Sequence, residues 1–246
     1  MSSARELAAI AERSAALGPG DTERFSGYAV MALPFSSGHV LGLRRFPVTS
    51  VGPGYTSVWL RRPAGGWSIY PSIDPSLSCP RYFGSALEST SVHTVTVGWT
   101  GDLCFTVRIE DDIDLHWDVT LANTPVTKMM SGMAGALPDS FWRSSLFLSA
   151  MGAVSGPSLR AGRIGMIGHA PNRQLMKAKV KRMWVVEQST ATLGGEDLGT
   201  IEPLREQSRL GEIWMPQRGI FMIGGAEFEP QDAEEHPPTT KAAATV

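Results

Sequence analysis

The chain has 246 residues, 42% of them hydrophobic and 19% charged, and carries a net charge of −2. That length suffices for one large β domain or two small ones around a sizeable core, while the near-neutral balance excludes nucleic acid as the main partner, which would require a basic face. Two cysteines are too few for a zinc cluster or a disulfide framework, and 26 glycines with 17 prolines favour turns and short strands over long helices.

At the N-terminus, residues 3–17 predict a short helix, capped by Ser2 or Ser3 and stopped at Gly18-Pro19-Gly20. Its charges interrupt any apolar run, so a secretory signal is not expected. No later stretch approaches the ~20 apolar residues of a membrane span. A cytoplasmic protein with reduced thiols is the expectation. From Tyr28 the text turns to short strands between Gly/Pro turns. "YTSVWLRR", "PAGG" and "WSIY" predict a hairpin over 55–70, followed by the irregular "SLSCPRYFGSAL".

Residues 92–121 are the most regular part. With Thr100-Gly101-Asp102 and Glu110-Asp111-Asp112 as three-residue loops, Trp99 faces Leu103, Val97 faces Phe105 and Phe105 faces Trp117. The apolar parity then lies on one face of a three-stranded antiparallel meander. On the other face Asp114 meets Arg108, His116 meets Thr106 and Asp118 meets Cys104.

The middle of the chain predicts two helices. Thr124 is an N-cap with Pro125 at the first helical position. Pro138 ends that helix, and a second runs from Asp139 to Val154. Strands resume at Gly162. In "RQLMKAKVKRMWVVE" the residues Met176, Ala178, Val180, Trp184 and Val186 share one parity, and Lys177, Lys179 and Lys181 form a solvated row on the other. A last strand, "IFMIGGAEFE", precedes a Pro/Glu/Thr/Ala segment of disordered type. The whole reads as a mainly β fold, either one antiparallel meander barrel or two half-barrels, with a helical insert near 125–155. The organisation is a helical arm over 1–27, a barrel-like body over 28–229 and a disordered tail over 230–246.

Candidate site residues follow from this pattern. His93 lies on the apolar parity of the meander, opposite Ile109, where burial would favour its neutral form and suit it to acid/base work. Tyr82 and Asp118 are secondary catalytic candidates. The aromatic and methionine inventory suggests a lined cavity with Trp99, Phe105, Trp117, Met133 and Trp184 as ligand-binding residues. No metal is expected, because Asp114, His116 and Asp118 lie in a line along one strand and cannot converge on a tetrahedral ion. No cofactor is expected, since no glycine-rich stretch has nucleotide-binding spacing.

"YTSVWLRRPAGGWSIY", "LHWDVTLANTP" and the "GHAPN", "WVVEQS" and "GGEDLG" block resemble the lipocalin-related group of carotenoid hydratases and AttH-type proteins, at the level of architecture over residues 28–229. The resemblance implies a lipocalin- or calycin-like barrel, an apolar isoprenoid or polyketide substrate, and acid/base chemistry without a redox cofactor. The functional expectation is a cofactor-independent enzyme of the lyase or isomerase kind (a hydratase, isomerase or cyclase) acting on a hydrophobic small molecule inside the barrel. The alternative is a non-catalytic carrier or sensor of such a ligand. A homodimer is the assembly considered.

Overall fold

A computed structural model describes residues 2–230; the expected disordered tail otherwise lies outside the described residues. Helix α1 (Ala4–Ser14) begins in a capping box, with Ser3 Oγ accepting the Glu6 amide and Glu6 accepting the Ser3 amide. Four strands follow: β1 (Glu23–Pro34), β2 (Val40–Thr49), β3 (Tyr55–Arg61) and β4 (Trp67–Pro71). The expected hairpin is β3–β4, pairing Arg61 with Trp67. After the short helix α2 (Pro80–Phe83) come β5 (Ser89–Thr90), β6 (Thr96–Trp99), β7 (Cys104–Ile109) and β8 (Leu115–Ala122). The helical pair is α3 (Pro125–Ala136) and α4 (Ser145–Leu159). The chain ends with β9 (Ile167–His169), β10 (Leu175–Leu193), β11 (Glu196–Asp197), β12 (Arg209–Leu210), β13 (Ile213–Trp214) and β14 (Ile220–Phe228).

The protein is mainly β. One sheet runs β5-β4-β3-β2-β1-β14-β10-β8-β7-β6, antiparallel except at β4–β5, and curls into a half-barrel. The curl is measurable. Trp99 on β6 and Phe221 on β14 have three strands between them, about 19 Å along a flat sheet, yet their ring centroids lie 5.8 Å apart. The inner face thus closes on itself around Trp117, Phe105, Val107 and Phe221, all at most 1% exposed. The outer face is covered by α2 and residues 213–215 at one end and by α3 and α4 at the other.

Three expectations need correction. The meander keeps its predicted parity, but its register is shifted by two: Trp99 pairs with Phe105, Val97 with Val107 and Val107 with Trp117. The loops are longer than expected, because Asp111 builds its own turn. Its side chain accepts the Ile113 amide and its carbonyl the Asp114 amide, with Asp114 at φ 43°. Arg108 therefore faces His116 and Thr106 faces Asp118. His93 precedes β6 and has no partner on β7; its amide donates to the Pro71 carbonyl.

The second correction concerns β10. A bulge between Val180 and Arg182 breaks its parity, so Met183 joins Ala178 and Val180 outside while Trp184 turns inside against Phe221, at 5.8 Å. Nor is the lysine row simply solvated, since Lys177 bonds Glu229 and Lys179 bonds Asp139, each at 2.6 Å.

Third, α4 starts later and ends later than the prolines suggested. Residues 141–143 form a 3-10 turn that buries Trp142. The helix then runs through Pro157, because Gly152 and Gly156 let the returning chain cross against it. A Cβ on Gly156 would stand 2.0 Å from the Gly162 carbonyl oxygen.

Candidate functional site

The outer face holds an aromatic cavity of about 70 Å³ between the sheet and α2. Alternation along the strands supplies its wall: Phe25 and Met31 from β1, Phe46 from β2, Trp59 from β3 and Phe228 from β14. Phe25 is the hub, with its ring 5.3 Å from Phe46 and 5.7 Å from Tyr82.

One wall residue is a cation. Opposite the single residue Gly42 of β2, β1 places two, Met31 and Ala32, in a bulge. Freed from the ladder, the carbonyls of Val30 and Met31 accept hydrogen bonds from the Arg44 guanidinium at 2.5 and 3.0 Å; the Leu43 carbonyl accepts a third at 2.9 Å. Arg44 also lies over the Trp59 ring at 4.6 Å. These contacts fix the side chain, but none brings a negative charge, and Arg44 has no carboxylate partner among the described residues. Burial pushes its pKa below the ordinary value, although a guanidinium stays charged throughout the working range. Its Nη1 and Nη2 are engaged by carbonyls. The Nε–H makes no hydrogen bond among the described residues and remains free to donate to a carboxylate.

Beside Arg44 stands Cys79, the residue before α2. Tyr55 Oη lies 3.1 Å from its sulfur and Ser57 Oγ donates to it at 3.8 Å. Burial pushes the thiol up, outweighing the opposing influence of Tyr55, Arg44, Ser57 and Trp59, so Cys79 is a neutral thiol. The same burial raises Tyr55 well above its ordinary value. The buried Trp59 Nε1–H acts on the same sulfur but completes no well-formed hydrogen bond among the described residues.

At the rim, Tyr82 stacks on Phe228 at 3.7 Å and donates its hydroxyl to Glu23 at 2.7 Å. Glu23 also accepts from Arg81 at 2.7 Å and Gln174 at 3.3 Å. Burial raises this carboxyl, but the Arg81, Tyr82 and Gln174 hydrogen bonds and the Arg81 charge overcome it and hold Glu23 below the ordinary carboxylate range.

Of the residues expected from sequence to form a site, Tyr82 alone lines this cavity. His93 is buried elsewhere. Its Nδ1 meets Asp111 at 2.7 Å, its Nε2 meets Ser91 at 2.6 Å, and its ring is T-shaped to Tyr70 at 5.3 Å. Asp111 and Asp112 could join it around an ion, but both carboxylates are exposed and the Asp111 contact is already a hydrogen bond. Asp118 lies on the polar side of β8, 3.4 Å from His116. Trp99, Phe105, Trp117 and Trp184 pack in the inner core, and Met133 is exposed on α3. Sequence reasoning missed Arg44 and Tyr55, and noted Cys79 and Trp59 without placing them in the site. The available signal was that Arg44 shares its strand parity with Gly42 and Phe46, a row with a small residue and an aromatic rather than a polar one.

No protein-family model matches the chain, and no curated protein does. Among solved structures it is similar to the acetoacetate decarboxylase of Legionella pneumophila subsp. pneumophila str. Philadelphia 1, at 10% identity and a TM-score of 0.38, over 90% of this chain and 92% of that one. A second acetoacetate decarboxylase structure gives 11% identity and a TM-score of 0.41, over 86% and 88%. These neighbours are a different group from the carotenoid hydratases and AttH-type proteins, and the resemblance to that group is corrected accordingly. Likeness this distant carries no residue or activity across.

Proposed function

We propose that the protein binds a small apolar organic acid in the outer-face cavity, with the ligand's carboxylate on Arg44 and its hydrocarbon part against Phe25, Phe46 and Phe228. The observation that carries this is a guanidinium set in an aromatic wall with no carboxylate partner among the described residues. A half-buried charge without a counter-charge in an apolar wall is costly, and a bound carboxylate would supply one. The Trp59 N–H, which completes no well-formed hydrogen bond among the described residues, offers a further donor.

This reading keeps the hydrophobic small molecule expected from sequence, gives it an acid group, and moves the site from His93 to Arg44. It favours the carrier or sensor alternative over a hydratase, isomerase or cyclase. No lysine, histidine, aspartate or glutamate lines the cavity. Its proton-bearing groups, Tyr55, Tyr82 and Cys79, all have raised pKa values, so none is a base at neutral pH.

Thermal unfolding with butanoate, hexanoate or butan-1-ol tests the proposal. The two acids should raise Tm in a concentration-dependent way, as a ligand of the native state must, and the alcohol should not. Arg44→Met should abolish the shift, while Arg44→Lys, which keeps the charge but not the Nε–H, should retain part of it. Equal shifts from acid and alcohol, or none from either, would refute the reading.

A further inference from the structure

The helical pair covers the outer face beside the cavity and buries Met130, Ala134, Leu148 and Leu159 against the sheet. The remaining surface of the pair is bare yet apolar. Leu146 is 83% exposed, Val154 63%, and Met129 and Met133 61% each. From Ser145 to Leu159, α4 carries no charged residue. A helix apolar all round is normally covered all round, but the described chain covers one side.

The charges bordering this surface are of one sign. Lys128, Arg143 and Arg160 are exposed, and the one acid between Thr124 and Arg160, Asp139, is held by Lys179 at 2.6 Å. A second copy docked face to face would bring like charges together across a two-fold axis. An anionic lipid surface satisfies both features, taking the apolar side chains among its acyl chains and the basic ones at its headgroups. Among the described residues no helix is long and apolar enough to cross a membrane, so α3 and α4 would lie on the bilayer.

We infer that α3 and α4 form a docking face for an anionic membrane surface, with Leu146 and Val154 as its apolar anchors. The face adjoins the cavity: Met166 packs with Leu148 of α4 in one cluster, and its neighbour Gly165 lines the cavity wall.

Co-sedimentation of the full chain with lipid vesicles tests this inference. Binding is expected to an equimolar phosphatidylcholine–phosphatidylglycerol mixture, much less to pure phosphatidylcholine, and it should weaken as salt shortens the electrostatic range. Leu146→Glu, at a site exposed enough to leave the fold intact, should cut partition about tenfold or more. Arg143→Glu should lower binding to the anionic mixture while leaving the circular dichroism spectrum unchanged. Binding to neither lipid, equal binding to both, or a solution dimer that Leu146→Glu dissociates would overturn the inference, the last by assigning the face to a second copy.

Discussion

The inner and outer faces of the curled sheet are both rich in aromatic rings, yet they treat polar atoms in opposite ways. Inside, Phe105, Val107, Trp117 and Phe221 pack as hydrocarbon, and the few polar atoms reach outward: Trp117 Nε1 donates to Ser189 and Tyr28 Oη to Glu12. Outside, Tyr55, Ser57 and Cys79 are directed into the packing and bond one another, and Arg44 is held there by bulge carbonyls without a counter-charge among the described residues. An apolar face can close by shape alone. A face that must place a guanidinium keeps the geometry its hydrogen bonds dictate, and space remains between the rings. The cavity is the result of that difference.

Breaking the inner face should have the largest effect. Trp117 is fully buried, so Trp117→Ala should cost about 3–5 kcal/mol in urea-induced unfolding; a loss below about 1 kcal/mol would show that the inner core is as loosely filled as the outer one. On the outer face Tyr55→Phe removes one hydroxyl from a buried pair with Cys79 and leaves the ring in place. It should cost about 1 kcal/mol by the same measurement, because that face depends on directed contacts as well as on volume. A neutral result there would mean that the aromatic rings alone hold it.

What the sequence revealed follows the same division. Alternation alone brought Val97, Val107 and Trp117 to one face of the meander, since parity is a property of the chain itself. Loop length was not visible, because it depends on Asp111 folding back on its own backbone. The cavity was less visible still. Arg44 acquires its role from a bulge in the neighbouring strand, and Trp184 changes face through another in β10; nothing local in "VMALP" or "KVKRMW" announces an extra residue. His93 shows the limit from the other side. Its burial was readable from parity, but its partners, Asp111 and Ser91, lie in loops whose course only the tertiary structure sets.

The smallest effect is expected at the rim, where one carboxylate ties α2 over the outer face, much as Glu12 of α1 takes Tyr28 and Arg45 beside the inner one. Glu23 receives Tyr82 and Arg81 from α2 and Gln174 from the turn before β10, which together hold it below its ordinary value of 4.5. A carboxyl depressed in the folded state contributes stability that is fully present above the unfolded value and disappears as pH falls through the folded one. The difference in unfolding free energy between the wild type and Glu23→Gln should therefore be constant from neutral pH to about pH 5 and shrink below 4.5. It should be about 1 kcal/mol or less, because the carboxylate is partly exposed and screened. A difference that persisted undiminished to strongly acid pH would mean that Glu23 acts by the shape of its hydrogen bonds, since glutamine can imitate shape but not charge. A difference that vanished already near pH 6 would point to some other titrating group as the fastening of α2.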